Sequence, residues 1–226
     1  MLPAHIVFDL DGTLIDSAAA ILASYRTAFA ACGLAPARSI DADIVGPPIN
    51  ETLRLLAGDD DPALIGRLAA AFRQSYDNGG LLETAAYPGI DELLATLREA
   101  GRALHIATNK RIHPTRLILD HLGWSACFDT VYALDLFSPG LPGKAAMLGR
   151  LLADRHIEAA RAIYVGDRIE DGVAAEASSL PFIAAAWGYG APRAAAMAAR
   201  WREATTPREL GQMLLEQAVT PPTAPW

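Results

Sequence analysis

Lysine is scarce in this chain. Of 19 basic residues only Lys110 and Lys144 are lysine; the other 17 are arginine. A protein that uses arginine wherever a surface cation will serve marks its two lysines as places that need a compact ammonium. Cysteine is also scarce: Cys32 and Cys127 lie far apart and match no metal-ligand or redox spacing. That excludes a disulfide framework and predicts free, buried thiols in a reducing compartment. No apolar run approaches the roughly 18 residues of a membrane span, and only Met1 to Ala4 precede the first predicted strand, so the expected location is the cytoplasm, with no membrane partner. Positive charge does not prevail either; the net charge of −7 argues against a nucleic-acid surface. No GxGxxG follows the first strand, which removes support for dinucleotide binding. The five histidines show no ligand spacing and are expected in structural or surface roles. Oligomeric state, monomer or dimer, is not legible.

What is present is a globular chain of 226 residues, 52% hydrophobic and 20% charged, long enough for one large domain or a core with an insertion. It is organised around His5-Ile6-Val7-Phe8-Asp9-Leu10-Asp11-Gly12-Thr13-Leu14. Ile6 to Phe8 reads as a short buried strand. Residues i and i+2 of an extended chain share a face, so Asp9 and Asp11 leave the strand end together. Two carboxylates ~4 Å apart at an effective dielectric of about 20 repel by ~4 kcal/mol, so a cation is expected between them.

Residues 17–80 read as helices with no strand between them: one through Ile21, Tyr25 and Phe29 to Gly33, one opening at Asn50, and one carried by Leu64, Leu68, Phe72 and Tyr76 to Gly79-Gly80. Ser17 or Asp16 is the expected cap of the first. Beyond Tyr87-Pro88-Gly89 helices and strands alternate, with strands at 103–107, 130–134, 161–165 and 182–186 and helices between them. That pattern predicts a parallel sheet covered on both faces. Helical stretches near 192–203 and 207–217 and a loose tail, 220–226, close the chain.

In such sheets ligands bind at the carboxyl ends of the strands. There the sequence places Asp9 and Asp11, then Thr108-Asn109-Lys110, then Gly166-Asp167 with Asp171 four residues on, and Lys144 at a helix start. Each alone has a bland reading as a cap, a turn or a surface charge. Together they suit phosphoryl transfer. Asp9 is a nucleophile that needs no deprotonation. Asp11 can protonate the leaving oxygen and later accept a proton from water. The acids cluster negative charge that a hard cation, Mg²⁺, would offset, held by Asp9, Asp11 and Asp167. Thr108 and backbone N–H groups near Gly12 and Asn109 would hold phosphate oxygens, and Lys144 would stabilise the charge on nucleophile and phosphate.

These residues closely resemble the motifs of the haloacid dehalogenase-like hydrolase superfamily. Asp9 to Leu14 is similar to its first motif, Thr108 to the second, Lys144 to the third, and Gly166-Asp167 with Asp171 to the fourth. The resemblance implies an α/β fold, a doubly wound five-stranded parallel sheet of order 3-2-1-4-5 formed by residues 1–15 and 82–226, with a helical cap, 16–81, inserted after the first strand. Gly46-Pro47-Pro48, Tyr87-Pro88-Gly89 and Trp187-Gly188-Tyr189-Gly190 are similar to the phosphoglycolate phosphatase-like branch. The implied activity is Mg²⁺-dependent hydrolysis of a small phosphorylated metabolite through an aspartyl-phosphate. A nucleoside 5′-monophosphate phosphatase and a sugar phosphomutase are the alternatives. A dehalogenase would need neither Asp11 nor Asp167, and a receiver domain lacks the insertion. Ser179 stands where relatives usually have glycine and is expected in a left-handed conformation.

Overall fold

The computed structural model describes residues 2–190 and 201–216. Its elements, in chain order, are β1 (His5–Phe8), β2 (Ile15–Asp16), α1 (Ala18–Ala31), α2 (Ile49–Ala57), α3 (Pro62–Asp77), β3 (Ala85–Ala86), α4 (Ile90–Glu99), β4 (Ala103–Thr108), α5 (Ile112–His121), β5 (Thr130–Ala133), α6 (Lys144–Asp154), β6 (Ala162–Gly166), α7 (Ile169–Ala177), β7 (Phe182–Ala185), β8 (Arg202–Ala204) and α8 (Pro207–Leu215).

Ile6, Val7 and Phe8 of β1 are wholly buried because the strand is central and covered on both faces. It pairs in parallel with β4 on one side and β6 on the other. Ile6 and Phe8 join a core with Leu93 and Leu97 of α4 and Leu210 and Leu214 of α8. Val7, pointing the other way, packs with Met147 and Leu151 of α6 and Ala174 of α7.

The full order is β5-β4-β1-β6-β7-β8, all parallel. Numbered along the sheet that is 3-2-1-4-5-6, so the expected five strands stand in the expected order and a sixth extends the edge. The helix expected near 192–203 is corrected at its end: residues 202–204 form a strand paired with β7, while 191–200 lie outside the described residues, as does the tail at 220–226. Arg202-Glu203-Ala204 is too short and polar to show a strand period; pairing with β7, not propensity, makes it one.

Residues 17–80 do fold as helices, as expected. The expectation missed the ladder that brackets them: β2 and β3 pair antiparallel, Ile15 with Ala86 and Asp16 with Ala85, where the chain leaves for the helical layer and returns. Within that layer Tyr25 and Phe72 lie 4.5 Å apart between ring centres, locking α1 against α3. Ser179 is left-handed, φ 57°, as expected. The two cysteines are free but only half-buried, which corrects the expectation of buried thiols.

Candidate active site

The Asp9–Leu14 turn is set by backbone. The Leu10 carbonyl accepts from the N–H groups of Thr13, Leu14 and Ile15. Gly12 takes φ +84°, and a Cβ there would run into the Asp167 carboxylate. Glycine is thus required twice, for the left-handed turn and for the approach of Asp167.

Asp9 is 2% exposed. Lys144, at the first position of α6, places its Nζ 3.0 Å from Asp9 Oδ1 and 2.5 Å from Asp171 Oδ1. Asp171 also accepts from Tyr164 Oη at 3.3 Å and from the Arg168 N–H at 3.1 Å. Asp167 accepts from Thr13 Oγ1 at 3.4 Å and from the Gly190 N–H at 3.1 Å. One oxygen each of Asp9, Asp167 and Asp171 lies within 4.8 Å of the others. Burial, opposed by Lys144 and reinforced by Asp171, Asp167 and Asp11, pushes the Asp9 carboxyl up to about 7. Burial and Asp171 push Asp167 up to about 6. Burial works to lower the Lys144 ammonium, but Asp171 and Asp9 overcome it and hold it above its ordinary value.

Asp11 stands apart from this trio. Its carboxylate receives Lys110 Nζ at 2.7 and 3.0 Å and Ser17 Oγ at 2.5 Å. The repulsion expected between Asp9 and Asp11 is therefore relieved by two cations rather than one between them. Lys144 serves Asp9 and Lys110 serves Asp11, so both of the chain's lysines are buried at this edge. Asp11's side chain does not join the three oxygens that converge; its carboxylate is committed to Lys110 and Ser17.

Thr108 ends β4 at the same edge, buried, with Oγ1 accepting from the Lys110 N–H at 3.2 Å. Asn109 Nδ2 donates to the Gly46 carbonyl at 3.0 Å, and its Oδ1 is buried without a hydrogen-bond partner among the described residues.

Two residues to which the sequence assigned no role complete the surroundings. Arg168 donates from Nη1 to the Val45 carbonyl at 2.7 Å and from Nη2 to that of Asp43 at 3.3 Å, tying the helical layer to the loop that carries Asp167. Tyr189 Oη accepts from the Ser17 and Ala18 N–H groups at 2.6 and 3.0 Å and donates to Asp16 at 2.7 Å. It, not Ser17, caps α1; Asp16 Oδ1 adds a longer contact to the Ala18 N–H, 3.3 Å. Ser17 is released to orient Asp11. Tyr189 lay within a quoted motif, and Arg168 follows Asp167 directly; position beside known site residues was the only signal either gave.

Two hollows open here. One, about 60 Å³, lies between sheet edge and helical layer and is lined by Asp11, Asn109 and Lys110 from below. The other, about 510 Å³, opens beside Lys144, Asp171, Arg168 and Pro47.

Fold and site define a class: a doubly wound α/β protein with an acidic, lysine-buttressed pocket at the carboxyl edge of its sheet, roofed by an inserted helical layer. The model of the haloacid dehalogenase-like hydrolase family matches residues 6–185, and the chain belongs to that family. Over 191 residues it is 36% identical to the tyrosine-protein kinase PtkA of Mycobacterium tuberculosis, covering 83% of this chain and 64% of that protein, so the chain spans less than two thirds of that relative. It is 35% identical over 194 residues to a phosphoglycolate phosphatase of Xylella fastidiosa, covering 83% of this chain and 82% of that one. A solved structure from Clostridium acetobutylicum, described as a predicted phosphatase, superposes with a TM-score of 0.84 at 26% identity, covering 96% of this chain and all, 100%, of that one.

A divalent cation fits this site on the structure's own terms. Three carboxylates converge on one point, and their mutual repulsion adds to burial in raising Asp9 and Asp167. An all-oxygen donor set suits a hard ion such as Mg²⁺. Asp171 has its oxygens engaged by Lys144, Tyr164 and Arg168. Asp167 accepts one hydrogen bond on each oxygen and the Asp9 carboxylate meets only Lys144 among the described residues, so these two carboxylates keep the most lone-pair capacity.

Proposed function

We propose that this protein hydrolyses phosphate monoesters of small metabolites, with residues 1–15 and 82–226 as the catalytic body and 16–81 as its cap. The observation that carries the reading is the division of two neighbouring carboxylates into two environments. Asp9 is buried beside Lys144 and Asp167, and Asp11 is held separately by Lys110 and Ser17 facing the small chamber. One suits a nucleophile and the other an acid/base group.

In the reading, an Asp9 oxygen attacks phosphorus while the bond from phosphorus to the ester oxygen breaks, and protonated Asp11 supplies the departing oxygen with its proton. Water then attacks the aspartyl-phosphate and gives its proton to the Asp11 carboxylate. The bond from phosphorus to Asp9 breaks, releasing inorganic phosphate. Ser17 and Lys110 orient Asp11 throughout. Lys144 holds the Asp9 oxygen and offsets charge on the phosphoryl group, while Thr108 and the N–H groups near Gly12 and Asn109 receive its oxygens. Asp171 positions Lys144. Mg²⁺, held by Asp9 and Asp167, would supply charge neutralisation for the phosphate. Free cysteines suit the reducing cytoplasm.

The test is phosphate release with Mg²⁺ across phosphoglycolate, nucleoside monophosphates and sugar phosphates, with no acceptor alcohol present. Free phosphate supports hydrolysis. Isomerised sugar phosphate without phosphate release would replace it with mutase chemistry on the same residues.

A further inference from the structure

Lys110 serves Asp11 in two electrostatic situations. In the proposed reaction Asp11 begins as a carboxylic acid, gives its proton to the departing oxygen and takes one back from water. While Asp11 is a carboxylate, Lys110 Nζ lies 2.7 and 3.0 Å from its two oxygens. While Asp11 carries its proton, that counter-charge is gone. The ammonium cannot turn to water without moving, because the Lys110 side chain is only 6% exposed. A buried cation left without a partner is costly. A Lys110 that swings away takes its hold on Asp11 with it.

A second contact on this ammonium comes from the helical layer. The layer roofs the small chamber with Ile21, Tyr25, Ile49, Phe72 and Tyr76. Of these, Tyr76, in the last turn of α3, is the one whose ring lies over Lys110, with Nζ 4.8 Å from the ring centre. That is within the reach of a cation–π attraction, which is strongest where water is excluded. Tyr76 is 1% exposed, and burial raises its phenol, so the ring stays neutral. Its placement is fixed from both sides along α3. Phe72, one turn earlier, stacks on it at 5.5 Å between ring centres. Asp77, the next residue, pairs at 2.5 Å with Arg111, the neighbour of Lys110. Consecutive residues of α3 thus meet consecutive residues of the loop after β4. A ring face neutralises nothing. It holds the ammonium whether Asp11 is charged or not, and leaves the ammonium its charge.

We propose that Tyr76 is a positioning residue for proton transfer: it keeps Lys110 beside Asp11 while Asp11 gives up and regains its proton. The proposal rests on the phosphatase reading above and adds to it a residue of the inserted layer.

Ethyl phosphate and acetyl phosphate isolate that proton. The two are close in size, but ethanol needs a proton as it leaves and acetate does not. Their kcat/KM covers the steps up to transfer onto Asp9, so the later proton from water does not enter. In Tyr76→Leu, kcat/KM for ethyl phosphate is expected to fall roughly tenfold or more beyond any fall for acetyl phosphate. Tyr76→Phe, which keeps the ring, is expected to preserve the wild-type ratio. In a Lys110→Met background, Tyr76→Leu is expected to change the ratio by less than about threefold, because the ammonium is gone. Tyr76→Met takes the place of Tyr76→Leu if the latter does not fold. A helical layer merely loosened by the substitution would slow both esters alike, with or without Lys110. Equal falls for the two esters, a ratio lost equally in Tyr76→Phe, or the same shift in Lys110→Met overturns the proposal alone. Turnover of acetyl phosphate but not ethyl phosphate by the wild type removes the acid that Tyr76 would serve, and so the proposal, while leaving Asp9 as nucleophile. No turnover of either ester by the folded, Mg²⁺-supplied wild type overturns both readings.

Discussion

Replacing Lys144 by methionine removes an ammonium from between two carboxylates and leaves a side chain of similar length. The Lys144 side chain is 9% exposed, and those of Asp9 and Asp171 are 3% and 1% exposed. The variant would bury Asp9, Asp167 and Asp171 together without their shared cation. Removing one partner of a buried ion pair typically costs about 3–5 kcal/mol. At about 2–4 °C per kcal/mol for a chain of this size, the metal-free variant should melt about 6–20 °C below the wild type at pH 8. The pH dependence has a definite sign. Asp9 is pushed up to about 7 in the folded protein from an ordinary carboxyl value of 3.8. The folded state therefore holds a proton that the unfolded chain has released, and stability falls as pH rises between those values. Without Lys144 the folded value rises further, so the deficit should shrink at pH 5, where Asp9 is neutral. Thermal melts by circular dichroism in chelator, at pH 5 and 8, measure both effects. A deficit below 2 °C at pH 8, or one that grows on acidification, would refute the claim that Lys144 balances this cluster. Lys144→Arg keeps the charge but changes its shape, so it should lose about 10²–10³ in catalytic rate with a much smaller stability change.

Asp9→Asn should abolish phosphate release while raising the melting temperature of the metal-free protein at pH 8, because it deletes a buried charge; turnover above a few per cent of wild type removes Asp9 from the nucleophile role. Chelation should abolish activity and Mg²⁺ restore it, with Ca²⁺ inhibiting through its larger, more flexible shell; full activity in excess chelator sinks the metal assignment. Arg168→Ala removes two hydrogen bonds to the Val45 and Asp43 carbonyls and should raise KM for every ester alike, by about tenfold for a loss near 1.4 kcal/mol, leaving substrate ranking unchanged. A changed ranking in Arg168→Ala would show that the latch also shapes the chamber.

The sheet was legible because its strands are short apolar runs separated by helices of clear period, and the site because its acids sit where those runs stop. What escaped had no such periodicity. β8 is three residues held by its neighbour, and β2 and β3 are two residues each, below the length at which alternation can be read. The scarcity of lysine pointed to Lys110 and Lys144 before any geometry was known. It could not divide them between Asp11 and Asp9, because that depends on α6 delivering Lys144 from the far end of a crossover. Tyr189 was invisible as a helix cap because capping is read from Ser, Thr, Asp and Asn next to the helix, whereas this hydroxyl arrives from 171 residues away.

Several contacts between the catalytic edge and the helical layer run from a side chain to backbone, beside the side-chain ion pair of Arg111 with Asp77. Arg168 and Asn109 donate to backbone carbonyls at 43, 45 and 46, and Tyr189 accepts from backbone N–H groups at 17 and 18. Backbone groups are present whatever side chain a position carries. The side chains at 21, 25, 49 and 72, which line the chamber, take no part in these backbone contacts or in the Arg111–Asp77 ion pair. Gly46 shows the arrangement at its tightest: φ is +118°, and a Cβ there would strike the Arg168 side chain. The latch therefore constrains the loop at Gly46 and leaves those four roof positions open to change. A site built this way can alter its leaving group by substitution there without disturbing Asp9, Asp11 or the lysines that serve them.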